Sequence, residues 1–213
     1  MTTIMDQVVR SFQVHQDVAK ANAKLFADAS LMRAYALTED EEERYVLMLP
    51  SLLKLFSSYL RAYPDYTEIR FLLPDGYEDA RATLVPLPNA TEEEGDTPFF
   101  QELSRFNGET FVQVTSVPDS DSISLQVARP VRLIDLTTQD PLTSDPTLRG
   151  YLVVTMGLGF LDDQVTASRI GENGHTLVVD ETGRIVFHRA PSRLGQHIPA
   201  PLLNKIRSMG SRE

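Results

Sequence analysis

Residues 68–81 read Glu-Ile-Arg-Phe-Leu-Leu-Pro-Asp-Gly-Tyr-Glu-Asp-Ala-Arg. Their centre, Pro74-Asp75-Gly76, suits a tight turn: Pro presets φ, Asp bonds its own backbone, and Gly accepts a positive φ. Tyr66–Leu73 before it alternates with a period of two and reads as a strand, and Tyr77–Val85 reads as its antiparallel return. This hairpin decides the class. Upstream of it the period is 3.6, and downstream it is mostly two.

Upstream, residues 1–36 lack Pro and Gly and carry apolar or small residues at Val14, Val18, Ala21, Leu25, Ala29, Met32 and Ala36. The steps of three and four predict one long helix with one stripe. Thr38-Glu-Asp-Glu41 reads as a capping box that opens a second helix, and the acidic run Glu39–Glu43 suits the positive end of that helix dipole. The second helix carries Tyr45, Met48, Leu52, Leu55, Phe56, Tyr59 and Leu60, and Pro50 is expected to kink or split it.

Downstream, residues 86–98 hold three Pro, one Gly and four acids and form a loop, followed by a short helix at Phe99–Phe106. Strands are expected at Phe111–Val117, Ser124–Ile134 and Gly150–Leu158. The last is apolar throughout and is expected at the centre of the sheet. A short helix at Phe160–Arg169, a hairpin at His175–Val179 and Arg184–His188, and a helix at Pro201–Met209 complete the chain. Sequential hairpins with segregated helices give an α+β layout with an antiparallel sheet.

The 213 residues carry 20 Lys+Arg against 30 Asp+Glu, a net charge of −10, which disfavours a nucleic-acid or anionic-lipid surface. The absence of Cys removes disulfides, thiol nucleophiles and zinc-thiolate sites. It also fits an oxidising compartment. No segment reaches the ~18 consecutive apolar residues of a membrane span. The first residues lack the basic and apolar regions of a signal peptide. His15, His175, His188 and His197 have no metal-ligand spacing, and no metal or cofactor is expected. There is no nucleophile elbow and no P-loop, and Gly157-x-Gly159 lacks the rest of a dinucleotide fingerprint, so no nucleotide turnover is expected. Asp162-Asp163 and Asp119/Asp121 read as solvated turn or helix carboxylates.

Several of these segments, in this order, resemble double Cache extracytoplasmic sensor domains of bacterial transmembrane histidine kinases, diguanylate cyclases and chemoreceptors. Glu68–Arg81 is similar to that family's I-R-(aromatic)-x-x-x-x-G-x-E-x-x-R hairpin. Phe99-Phe100-Gln101 stands where the family has an aromatic pair. Gln126-Val-Ala-Arg-Pro-Val131 and Gly150–Leu158 resemble two of its sheet strands. Thr176–His188 resembles the hairpin that opens its second module. The resemblance covers about residues 1–190 and implies a long N-terminal helix packed on a PAS-like five-stranded antiparallel sheet, followed by a partial or reduced second Cache module. The implied divisions are 1–63 for the two helices, 64–168 for the membrane-distal module and 169–213 for the start of a membrane-proximal one. It also implies an excised or reduced periplasmic portion of an inner-membrane two-component or related receptor, without catalytic activity of its own.

By the same resemblance, a small ligand sits on the sheet face away from the long helix, under a lid formed by residues 86–110. Tyr151, Val153 and Thr155 share a face of their strand, with Thr155 at the place of the family's Asp. Gln113 and Thr115 share a face of theirs, and Phe99 and Phe100 take the lid's aromatic places. Arg70, Arg81 and Arg129 lie on strands, as salt-bridge partners or as a clamp for a carboxylate. The amino-acid-binding branch uses an Arg and a Trp in the lid and the strand Asp, which are here replaced within Thr97-Pro98-Phe99-Phe100 and by Thr155. The expected ligand is therefore a small carboxylate or an apolar molecule and not a free amino acid. Parallel self-association through residues 14–36 is also expected. The alternative reading is a ligand-free structural and dimerisation module.

Overall fold

The computed structural model describes residues 2–84, 92–116, 123–135, 140, 143–161, 177–180, 182–188 and 190–210. Helices α1 (Thr2–Ala27), α2 (Ser30–Leu37) and α3 (Leu49–Ala62) precede β1 (Tyr66–Leu72) and β2 (Glu78–Thr83). Helix α4 (Pro98–Arg105) is followed by β3 (Phe111–Ser116), β4 (Ile123–Leu133) and β5 (Thr147–Gly157). A small hairpin of β6 (Leu177–Val179) and β7 (Ile185–His188), then α5 (Ala200–Gly210), ends the described chain. The five long strands form one antiparallel sheet in the order β2-β1-β5-β4-β3, with β5 in the middle as its apolar run requires. Most of the helix expected at Phe160–Arg169 lies outside the described residues.

The long helix expected over residues 1–36 is divided at Asp28-Ala29, where Ala29 takes an extended ψ of 134°. The break also divides the predicted stripe. Val14, Val18 and Leu25 face solvent at 55%, 46% and 60% exposure, whereas Met32 and Ala36 are buried. The face of α1 that packs is offset, through Val8, Ala19, Ala23 and Phe26. Helix α1 therefore carries two apolar stripes, one on the core and one outside. The buried Asn22 amide donates to the Tyr66 hydroxyl at 2.7 Å and ties α1 to the start of β1.

The predicted capping box also changes owner. Thr38 closes α2, with its N–H and hydroxyl both on the Ala34 carbonyl, and the Asp40 carboxylate accepts from Glu43 N–H at 2.8 Å. Pro50 splits the second helix as expected. Residues Glu42–Met48 wind as a π-helix, and Pro50 lies in the first turn of the α-helix that follows. Proline has no N–H to give the preceding turn, and the wider winding absorbs the misfit. Helix α3 then buries Leu52, Phe56 and Leu60, at steps of four, and packs on β1 and β2. Each such side chain contributes roughly 1.5–3 kcal/mol by burial. Helix α1 lies over β4 and β5, and Val186 and Phe187 of β7 join the same core.

At the 68–81 hairpin, Gly76 has φ +96° and its Cα faces Gly95 so closely that a Cβ would meet the Gly95 nitrogen at 2.6 Å. Glycine at this turn serves both the conformation and the contact. A bulge between Phe71 and Leu72 pairs Leu72 with Glu78 and leaves Asp79 as the extra residue of β2. Asp79 turns toward the helices. It accepts from Arg44 Nη2 at 2.6 Å and from the Tyr45 hydroxyl at 2.7 Å, while the Arg44 guanidinium lies 4.7 Å from the Tyr35 ring centre.

The hydrogen bond to Asp79, and then burial, push the Tyr45 phenol up to about 12, and burial first and Asp79 second also raise Tyr35. A raised phenol contributes stability that is complete below its ordinary pKa and is lost as pH rises through the folded one. We predict that denaturant stability falls as pH rises from about 10 to about 12, and that Tyr45→Phe makes this decline shallower. An equal slope in the variant would contradict the assignment.

Candidate functional site

Alternation along the strands divides the sheet into two unlike faces. Ile69, Phe71, Leu125, Val127, Leu152, Val154 and Met156 point to the helices. Their neighbours Glu68, Arg70, Leu72, Ser124, Gln126, Ala128, Tyr151, Val153 and Thr155 point to the other side, where α4 lies. On that side the buried residues are largely polar, with Glu68, Ser124, Gln126 and Thr155 each 1–2% exposed.

The lid is built from its base upward. Glu78 N–H donates to the Glu92 carbonyl at 2.8 Å and Glu94 N–H to the Gly76 carbonyl at 3.0 Å, so the chain before α4 is bonded to the hairpin turn. The Thr97 hydroxyl donates to the Glu94 carbonyl at 2.8 Å and accepts from Phe100 N–H at 3.2 Å, capping α4 with Pro98 in its first turn. Phe99, Phe100 and Leu103 then close over Leu72, Ala128, Tyr151 and Val153. Phe100 meets Tyr151 edge-on at 5.6 Å, and Phe99 meets Phe111 at 5.9 Å. Burial raises the Tyr151 phenol above its ordinary value.

Beside this apolar patch stands a buried ionic cluster. The Arg70 guanidinium lies 3.1 Å from a Glu68 oxygen and 3.6 Å from Glu78, and also contacts the Glu94 carboxylate. Arg81 Nε donates to Glu68 at 2.5 Å. All five side chains are between 3% and 11% exposed. Among the described residues the cluster holds three carboxylates and two guanidiniums. The internal salt-bridge reading of Arg70 and Arg81 thus describes what they do here: the fork that was a candidate carboxylate clamp holds the chain's own carboxylates.

One further row crosses the whole sheet. Thr83, Glu68, Thr155, Gln126 and Gln113 are successive Cα partners on β2, β1, β5, β4 and β3. The Thr155 hydroxyl donates to Glu68 at 3.4 Å, and Gln113 Nε2 donates to Glu102 of α4 at 2.8 Å. The side-chain oxygens of Gln113 and Gln126 are buried without a hydrogen-bond partner.

The structure therefore brings nine of the ten sequence-predicted site residues to one face or its cover: Arg70, Arg81, Phe99, Phe100, Gln113, Thr115, Tyr151, Val153 and Thr155. Arg129 is the exception. It pairs with Leu152, one pleat out of phase with Ala128, and donates to the Glu109 carbonyl and the Thr110 hydroxyl before β3. Sequence reading missed Glu68, Glu78, Glu94 and Gln126. The available signal was parity, since Glu68 shares the face of Arg70 and Gln126 that of Ala128. Among the described residues no cluster of three or more His, Cys, Asp or Glu suits a metal ion.

No protein-family model matches the chain, and no curated protein matches it. Solved structures do. A domain of a sensory box/GGDEF family protein from Vibrio parahaemolyticus has a TM-score of 0.68 and 18% identity, over 99% of this chain and 80% of that one. The ligand-binding domain of Campylobacter jejuni chemoreceptor Tlp3, in complex with 4-methylisoleucine, has a TM-score of 0.65 and 13% identity, over 97% and 75%. The sensor domain of V. cholerae histidine kinase DctB has a TM-score of 0.61 and 11% identity, over 97% and 73%.

We predict that Arg70→Met loses about 3–5 kcal/mol of stability, because it strands buried carboxylates without their counter-charge. Removing the exposed Lys24–Asp28 pair loses less than about 1 kcal/mol. Urea denaturation of both variants checks the contrast, and equal losses would contradict it.

Proposed function

We propose, from its Cache-type extracytoplasmic sensor fold and its lid-side face, that the chain is the ligand-sensing part of a membrane-bound bacterial signal-transduction receptor. It passes a small-molecule signal to an output domain of the histidine kinase, diguanylate cyclase or chemoreceptor kind. The single observation that carries this reading is the buried polar face beneath α4, which keeps polar atoms without hydrogen-bond partners, the Gln113 and Gln126 oxygens and Arg70 Nε, where a purely structural core would have apolar groups. The ligand contacts are Gln113, Thr115, Tyr151, Val153 and Thr155 on the sheet and Phe99 and Phe100 on the lid. Arg70 and Arg81 form the ionic floor beside it. Arg129 steadies the segment that leads into β3.

In this reading the domain is extracytoplasmic and performs no reaction itself. No described helix is long and apolar enough to cross a membrane. Residues 1–63 are the helical layer, 64–168 the distal module, and 169–213, with the β6–β7 hairpin, the start of a proximal one. A ligand that prefers one arrangement of α4 shifts the population toward it, by no more than its differential affinity for the two. Helix α1, with its second apolar stripe, carries that shift to a second copy through a parallel dimer.

Two measurements check the proposal. In a thermal-shift screen of small metabolites, a true ligand at 100 times its Kd adds about 2.7 kcal/mol to stability. A screen without any stabiliser would favour the ligand-free dimerisation module. In sedimentation, Leu25→Glu on the exposed stripe weakens self-association, whereas wild type that remains monomeric at every accessible concentration would contradict the dimer.

A further inference from the structure

Charge is segregated along the chain. Residues 184–213 carry six Lys and Arg against one acid, Glu213, whereas residues 1–183 carry 14 against 29. The net charge of −10, which disfavours an anionic surface for the chain as a whole, therefore conceals a basic end. Among the described residues of that end, Arg193, Lys205 and Arg207 are exposed and Arg184 is half-buried. Asp180, the described acid nearest to it in sequence, is taken up by the β6–β7 turn, where it accepts from the N–H groups of Thr182 and Arg184.

Helix α5 belongs to this basic end, and one side of it is seated while another is open. Leu203 is half-buried and reaches over the turn glycine: a Cβ on Gly183 would meet Leu203 Cδ2 at 2.9 Å and Ile198 Cγ1 at 3.4 Å. Leu202 and Ile206, one turn apart, are 44% and 43% exposed. At about 100° per residue, Lys205 flanks this pair on one side, and Arg207 lies on the other, past Leu203.

We propose that α5 lies on a bilayer surface that contains anionic phospholipid, with Leu202 and Ile206 at the boundary of headgroups and acyl chains and the basic side chains around them against phosphates. The pattern is that of an interfacial helix: an apolar stripe, cations beside it, and too little apolar length to span. A folded protein partner suits it less well. A stable protein interface buries about 1,200 Å² or more with matched shape, and two side chains on one turn give neither. A bilayer conforms to whatever apolar side chains enter it. A soluble polyanion would use the cations and leave Leu202 and Ile206 in water. A weak contact is sufficient on the receptor reading, on which this step rests, because a tethered domain meets the membrane at high effective concentration.

The test is co-sedimentation of the whole chain with vesicles of phosphatidylglycerol and phosphatidylcholine in equal parts, and with vesicles of phosphatidylcholine alone. Binding to the mixed vesicles should be about fivefold tighter or more, and should weaken with added salt. Lys205→Glu, and separately Leu202→Ser with Ile206→Ser, should each weaken it by about fivefold. Both variants should keep the wild-type Tm, since all three side chains are exposed. The chain has no tryptophan, so Leu202→Trp adds a single fluorophore. Its emission should move to the blue on mixed vesicles and be quenched by brominated acyl chains, a readout that holds even where the serine pair lowers Tm. Equal binding to both lipids, or binding to neither, would overturn the contact and leave the sensor reading to its own ligand screen. Mixed-vesicle binding that the serine pair does not weaken, with no shift in the Trp variant, would make it a general polyanion contact and overturn the seating of α5. Self-association lost in the same variants, without vesicle binding, would give the face to a second copy and overturn the proposal as well.

Discussion

A guanidinium cannot leave water alone, and Arg70 is 6% exposed in the middle of a sheet face. Most of the lid side follows from that constraint. Its counter-charges come from three places: its own strand (Glu68), the bulged start of β2 (Glu78) and the segment that leads into α4 (Glu94). The last fixes where the lid begins. Gly76 and Gly95 approach closely enough to let that segment bond the hairpin turn, and α4 is then placed with its two phenylalanines over Tyr151 and Val153. Such a cluster is a weak source of net stability, but it is intolerant of losing one partner.

The bulge in β2 has a second consequence. By shifting the phase of β2 it decides which of two adjacent carboxylates takes which face, Glu78 toward Arg70 and Asp79 toward Arg44 and Tyr45. The lid base and the π-helical turn before α3 are therefore fastened to the same two residues of one edge strand. The two faces of the sheet are thus joined through adjacent residues of a strand that packs on α3.

Much of the fold was legible because it depends on local rules. The 68–81 hairpin, the central β5 and the split at Pro50 follow from turn chemistry, burial on both faces and a missing N–H. The stripe on α1 was legible in period but not in phase. Both the Val14–Leu25 set and the Val8–Phe26 set recur at helical spacing, and only tertiary packing distinguishes them. Asp40 displaced Thr38 as the cap because Thr38 was already used to close α2. At the site, strand parity brought Tyr151, Val153 and Thr155 together, but the pairing of Arg70 with Glu94 joins residues on separate elements and has no signature in spacing. Gln126 was overlooked within a strand that reads as apolar, although Ser124, Gln126 and Ala128 alternate there with Leu125 and Val127.

The central claim is that a small molecule is received between α4 and the polar row of the sheet. Residue-resolved hydrogen exchange of the whole chain tests it most directly, with and without the strongest stabiliser from the thermal-shift screen of small metabolites. The account predicts that added protection concentrates in α4, around Phe100 and Leu103, and in the facing stretch Tyr151–Thr155 of β5. Protection confined instead to the groove between Ala27 and Arg129–Leu133, on the helical side of the sheet, would contradict it.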